Sequence, residues 1–250
     1  MTKRVSIMEP YFVCLKCFPR KNGTNTGLAM HTIYFLLISL CVLSTGCISS
    51  SISTAQSTMS TYTSSIQPIP QEIAQRMIGV TWHEGCPIAL TDLSLLHMSY
   101  WTMDNTTAQG EMIIATAQAQ TVVQIFETLY NNHFPLTSMK LMWEFGGDDD
   151  ASMRANNTSG FNCRKVKNTS SWSKHSYGHA IDINPLWNPW VRGDVVDPPE
   201  GKEFVDRTMN HPGVIKDGDL VVQAFLSRGW FWGGHWSKYK DYQHFSATGT

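Results

Sequence analysis

Two short stretches in the second half of the chain constrain it more than anything before them. The first is Ser173-Lys174-His175-Ser176-Tyr177-Gly178-His179-Ala180-Ile181-Asp182, with six residues between His175 and Asp182. The second is Asp241-Tyr242-Gln243-His244-Phe245. Together they offer two imidazoles and two carboxylates, a minimal set for a catalytic zinc. Three side chains hold the metal, a fourth acts as base, and one coordination position stays open for water. The helical zinc-peptidase motif H-E-x-x-H is excluded. His175 and His179 have its spacing, but Ser176 stands where the glutamate belongs.

The first stretch resembles the S-x-H-x-x-G-x-A-x-D signature of the zinc D-alanyl-D-alanine carboxypeptidases, whose metal site is shared with the lysostaphin and Hedgehog domains. Ser173, His175, Gly178, Ala180 and Asp182 fill every specified position. Ile183-Asn184-Pro185, Asn188-Pro189, the run Gly229 to Gly234 and the second stretch are similar to the subgroup containing phage L-alanyl-D-glutamate endopeptidases. The resemblance extends over roughly residues 78 to 246. It implies an α+β fold, a small antiparallel sheet carrying the zinc ligands with flanking helices. It also implies a Zn2+ peptidase that cuts cell-wall peptides containing D-amino acids, as a D-Ala-D-Ala carboxypeptidase or an L-Ala-D-Glu endopeptidase.

Residue by residue, the resemblance makes His175, Asp182 and His244 the metal ligands and Asp241 the general base. His179 is the rival ligand and Glu144 the alternative carboxylate. Arg164, eleven residues before His175, takes the role of oxyanion stabiliser and substrate binder. A guanidinium forks well onto carboxylates and developing oxyanions. Ser173, Tyr177 and His179 fall to substrate binding, with Asn184 a further supporting candidate. His235 departs from the family, where Asp is common. Two other classes compete: a zinc-holding module without catalysis, and an inert tethered wall-binding lipoprotein. Retention of both Asp182 and Asp241 argues against the first.

The N-terminal third looks different. Five basic residues (Lys3, Arg4, Lys16, Arg20 and Lys21) precede an apolar run from Ile33 to Leu43. That run is short for a membrane span, which needs about 20 apolar residues, and reads as a secretion signal. Leu43-Ser44-Thr45-Gly46-Cys47 resembles a lipoprotein processing site, with the Leu one position further from the Cys than usual. Lipidation at Cys47, a plain cleaved signal and an uncleaved anchor all remain open. Residues 48 to 71 are almost all Ser, Thr, Gln, Ile and Pro, a flexible tether. The expected organisation is therefore 1–47 signal or anchor, 48–71 tether and 72–250 zinc peptidase domain. The partners are a cell-wall peptide and a membrane, and the chain is expected to be an extracytoplasmic monomer. A net charge of -1 gives no electrostatic case for nucleic acid.

Within the domain, Glu72 to Ile78 predicts a short helix. Alternation from Leu93 to Met103 predicts a strand, with Glu111 to Ala115 its partner. Val122, Ile125, Phe126 and Leu129 form one stripe of a helix over 119–131. Met139 to Trp143 reads as a short strand and Asp148-Asp149-Asp150 as a solvated turn capping a helix. Residues 185 to 216 read as mostly loop. A last helix runs over 217–228 with Asp217 as its cap. Six Trp flank the motifs (Trp172, Trp187, Trp190, Trp230, Trp232, Trp236), as packing residues or as a groove for a glycopeptide. Cys14-x-x-Cys17 has no second pair and carries no metal reading. After processing, Cys86 and Cys163 meet an oxidising compartment, where a disulfide or two buried thiols are the alternatives.

Replacing Cys47 by Ser is expected to release the chain from the membrane fraction. Unchanged fractionation would count against a lipid anchor.

Overall fold

Strands β2 (Leu93–Trp101) and β3 (Thr107–Ala115) pair antiparallel along their whole length, and the two sides of this ribbon serve two cores. Side chains alternate across a strand. Leu96, Met98, Met112 and Ile114 therefore face one apolar cluster, while Leu93, Leu95 and Ile113 face the other. The computed structural model describes residues 61–249. Residues 1–47 with Cys47, expected to be a signal or anchor, and residues 48–60 of the expected tether lie outside these residues.

The larger core forms where helix α2 (Thr116–Asn131) lays Val122, Ile125, Phe126 and Leu129 on the ribbon. This is the stripe expected from the sequence. The smaller core lies beneath helix α1 (Gln71–Met77) and gathers Met77, Leu93, Leu95, Leu141 and Phe161. A disulfide joins Cys86 to Cys163 at its edge.

The folded part starts earlier than expected. Strand β1 (Ser64–Pro68) pairs with β2 from Ser64↔Met98 to Pro68↔Ser94, although its composition reads as tether. Three observations explain the ordering. The Tyr62 hydroxyl donates to the Val123 carbonyl at 3.0 Å, its ring lies against Tyr130, and the ladder satisfies the open edge of β2.

Beyond α2 the elements are short. Strand β4 (Ser138–Met139) pairs parallel with β5 (Asn157–Thr158). Helix α3 (Asp149–Arg154) is capped by Asp148, whose carboxylate accepts from the Ala151 amide at 3.2 Å. The strand expected over 139–143 stops at Met139, and 142–145 form a 3-10 turn closed by Gly146 at φ 67°.

Strand β6 (Ala180–Asp182) forms the end of the first motif. Next come β7 (Trp190–Arg192) and β8 (Val195–Asp197), a hairpin inside the stretch expected to be loop. Helix α4 (Leu220–Leu226) starts later than expected, because Asp219 and not Asp217 accepts from the Val222 amide, at 3.0 Å. Last come β9 (Phe231–Trp232), β10 (Lys240–Asp241) and β11 (His244–Ser246).

Two small antiparallel sheets result, β6-β11-β9 and β10-β7-β8, beside the β1-β2-β3 sheet. The fold is α+β as expected, but three small antiparallel sheets replace the single one. Trp230, Trp232, Phe225 and Phe245 pack into the larger core, with the Phe225 and Phe245 rings stacked 3.9 Å apart. Trp230 and Trp232 are thus core residues, and Trp232 also borders a surface pocket with Phe231 and Trp236. Among the described residues no helix is long and apolar enough to cross a membrane.

The new edge strand is testable. A chain trimmed to 72–250 loses β1 and Tyr62 and leaves β2 with an open edge. It is expected to be less stable than 61–250 by about 2 kcal/mol, a melting temperature about 4–8 °C lower. Equal melting temperatures would show that β1 contributes nothing.

Candidate metal centre

The site begins with strand register. In the β6–β11 pair, Asp182 stands directly opposite His244, Ile181 opposite Phe245 and Ala180 opposite Ser246. The central pair turns Phe245 and Ile181 into the larger core, so Asp182 and His244 share the opposite face. The other edge of β6 is also held: Ser159 and Asp182 exchange backbone hydrogen bonds at 3.0 and 2.9 Å.

His175 comes from a 3-10 turn, residues 174–177, not from a strand. Ser173 caps this turn, its hydroxyl accepting from the His175 amide at 3.3 Å. Gly178 ends it at φ 63°, pressed so closely against the backbone of Ile114 and Ala115 that no side chain fits. The spacing of the motif thus has local causes: a serine to start the turn and a glycine to leave it.

The imidazole orientation follows from one bond. His175 Nδ1 lies 2.6 Å from the Gly160 carbonyl, which can only accept, so Nδ1 carries the proton. In the neutral ring Nε2 is then a bare lone pair. It points to Asp182 Oδ2 at 3.1 Å and to His244 Nδ1 at 3.3 Å, while His244 Nδ1 lies 3.0 Å from Asp182 Oδ1. The ligand atoms of these three residues all fall within 4.8 Å of one another. Four ligands about 2.0–2.1 Å from a zinc in tetrahedral array stand about 3.3 Å apart, so the donor set fits that ion. A carbonyl partner behind His175 also matches the support that metal-bound histidines usually have.

Burial alone would raise the Asp182 carboxyl, but the charge and hydrogen bonds of His175 and His244 outweigh it and hold it well below the ordinary range. His179 lies outside the convergent set. It is half-buried, stacks on Tyr177 with ring centres 6.1 Å apart, and is held below its usual pKa by burial and by Lys174. Asn184 is fully buried and braces loops, donating to the Pro135 carbonyl at 2.9 Å and accepting from the Thr137 amide at 3.2 Å. Glu144 is engaged in its own turn, accepting from the Leu141 amide at 3.3 Å.

Asp241 arrives on separate scaffolding. Strand β10 pairs with β7, setting Asp241 opposite Trp190. Gly233 closes on it from behind: a Cβ there would lie 2.6 Å from the Asp241 carbonyl oxygen and 2.8 Å from its Cβ. The carboxylate oxygen Oδ1 is buried and has no hydrogen-bond partner among the described residues. Burial is the main reason the group is raised to about 7. The charges of Asp182 and Asp197 push the same way, and His244 and Arg164 oppose them. Such a buried, unsatisfied carboxyl beside convergent ligands is a common mark of a functional group.

Arg164 is half-buried, with its pKa lowered by burial and supported by the charges of Asp182 and Asp241. Its backbone is fixed by Ser176, whose hydroxyl donates to the Arg164 carbonyl at 2.7 Å and accepts from the Arg164 amide at 2.8 Å. Its side chain pairs with Asp149. Neither partner was expected from the sequence. Asp149 lies in the acidic triplet read as a solvated turn, and only Asp148 of that triplet fits the capping role. A lone serine between His175 and Tyr177 carries no spacing signal at all. His235 is held at the surface by Asp217, Nε2 to Oδ1 at 2.8 Å.

Residues 167–247 match a family model of M15 peptidases described as D-alanyl-D-alanine carboxypeptidase. The matched span contains both motifs, and it bears out the resemblance drawn from them, over a shorter stretch than residues 78 to 246. No curated protein and no solved structure matches the chain.

The geometry separates ligands from neighbours. His175→Ala, Asp182→Ala and His244→Ala are each expected to abolish stoichiometric metal, and His179→Ala to retain it. Metal analysis of the purified variants decides; full metal in His244→Ala, or none in His179→Ala, would overturn the ligand set.

Proposed function

We propose that this chain is a zinc metallopeptidase that hydrolyses peptidoglycan peptides containing D-amino acids. The observation that carries the reading is the juxtaposition of His175, Asp182 and His244 with the unpaired, buried carboxyl of Asp241. The family match over 167–247 supports the class of reaction. The sheet arrangement is compatible with a Hedgehog/DD-peptidase type of zinc site.

A zinc held by His175, Asp182 and His244 supplies Lewis acidity toward the scissile carbonyl and acidifies water. The protein's own residues do the rest. Asp241 accepts the proton of the attacking water as the carbon–oxygen bond forms. It then delivers that proton to the departing nitrogen as the carbon–nitrogen bond breaks. Arg164 offers a guanidinium to the developing oxyanion or to a substrate carboxylate. Ser173 acts indirectly, through the turn that aims His175. Tyr177 and His179, stacked at the end of the same turn, are assigned to the substrate side of the cleft.

Two cleavage sites compete. The flanking residues 183–189 and 229–234 favour an L-Ala-D-Glu endopeptidase, and the family description names a D-Ala-D-Ala carboxypeptidase. Digestion of purified peptidoglycan with mass spectrometry of the products separates them. Loss of terminal D-Ala marks the carboxypeptidase, and release of intact peptides from L-Ala marks the endopeptidase. No product with zinc, and none lost with chelator, would leave a binding module in place of an enzyme. We place the enzyme outside the membrane, held there by its N-terminal segment and acting as a monomer.

Asp241→Asn keeps size and shape but cannot take the proton. Its rate is expected to fall about 10²–10⁴-fold with metal content unchanged. The pH dependence has a definite sign. Asp241 acts only when deprotonated, so the wild-type rate falls as pH drops through its pKa. A bound dication favours the carboxylate, so the midpoint should lie below about 7 and above the ordinary 3.8. The Asn variant should lose this acid limb. A wild-type rate in Asp241→Asn would remove it from the mechanism.

A further inference from the structure

Arg164 sits on the stretch between Gly160 and Ser173, which belongs to no sheet. A long, flexible side chain on such a stretch has many rotamers to lose before it can face a reacting group. Two neighbours restrict it. Ser176 holds the backbone from both sides, as described above. Asp149, in the first turn of α3, forms an ion pair with the guanidinium, its Oδ2 lying against the Nε edge. Its other oxygen is also committed: Oδ1 accepts from Asn162 Nδ2 at 2.8 Å. Asn162 is buried, and its amide also donates to the Gly147 carbonyl at 3.1 Å. The carboxylate is thus fixed by a rigid amide on one side and is available to the guanidinium on the other.

We infer that Asp149 is the positioning residue for Arg164, fixing the Nε edge so that the Nη edges turn toward the cleft that holds Asp182 and Asp241. The consequence for catalysis rests on the peptidase reading; the pairing itself does not. The guanidinium is planar and its five donors are rigidly related. Holding one edge therefore sets the direction of the other two. The charges of Asp182 and Asp241 act on the same guanidinium and favour its protonated form.

The test uses the zinc-loaded full chain. Asp149→Asn retains the carbonyl oxygen for Asn162 but presents an NH2 group, a donor, to the Nε–H of Arg164. Three rate measurements with a peptidoglycan peptide follow. Asp149→Asn is expected to lose about 10- to 100-fold in kcat/KM, as a misaligned group does. Arg164→Ala should lose at least as much. The double variant should match Arg164→Ala alone, because the effect of Asp149 passes through the arginine. A merely structural aspartate would lower both backgrounds by the same factor. A wild-type kcat/KM in Asp149→Asn, or an equal loss in both backgrounds, would overturn the proposal.

A second readout needs no activity. The Arg164 Nε–H proton, observed by ¹⁵N NMR, should exchange slowly in the wild type and fast in Asp149→Asn. Equal exchange in the two would overturn the pairing, even if the protein cleaved no peptide. Should the Asn variant not fold, Asp149→Ala gives the same comparisons.

Discussion

The pairing of Asp182 with His244 across β6 and β11 is the constraint on which the site depends. Side chains alternate faces along a strand, so a slip of one residue would bury the two ligands and expose Phe245 and Ile181. That slip is opposed by the whole larger core, into which Phe245 stacks on Phe225 and lies parallel to Trp232. The apolar residues between and beside the ligands therefore fix the ligands. His175 then needs only a capped turn and one carbonyl behind its ring to complete the set.

The candidate metal ligands and the proposed base are divided between two sheets. Asp182 and His244 belong to β6-β11-β9, whereas Asp241 belongs to β10-β7-β8. Only Tyr242 and Gln243 separate the two scaffolds in sequence, and the Trp232 indole N–H to the Tyr242 carbonyl, at 2.9 Å, pins that junction. Arg207 lies over the Tyr242 ring, 4.4 Å from its centre, and its guanidinium donates to the carbonyls of Trp187, Phe204 and Ile215. Burial of that guanidinium lowers it to about 10, still charged at neutral pH. A buried cation bonded to so many carbonyls ties the irregular 204–215 segment to the junction between the sheets.

Much of this was legible in the sequence, and the missing parts have physical reasons. The convergence of the candidate ligands was legible because metal chemistry demands particular residue types at short spacings. The helix was readable over 119–131 because its stripe is long enough to show a period, though its first turn, 116–118, was not. The β7–β8 hairpin was not: three-residue strands among Pro185, Pro189, Pro198 and Pro199 have no period to detect. Yet β10, which carries Asp241, pairs with that hairpin. The strand β1 was hidden because Ser and Thr read as tether, and only the open edge of β2 and the seat for Tyr62 give it an address. Asp149 and Ser176 were hidden for a third reason. Their partner is Arg164, and a contact between residues 12 or more apart leaves no local pattern.

The separation of the ligands along the chain has a kinetic side. His175 and His244 are 69 residues apart, and Asp182 and His244 are 62 apart. The β2–β3 ribbon, by contrast, closes over a turn of a few residues. Entropy of closure grows with the length of chain enclosed, and long-range pairings form late in folding. The ribbon with α2 can assemble while the distant termini of the metal set are still apart. On the metal reading proposed above, capture of an ion follows docking of the last strand, which makes the cation a latch on a nearly finished molecule and not a seed for it.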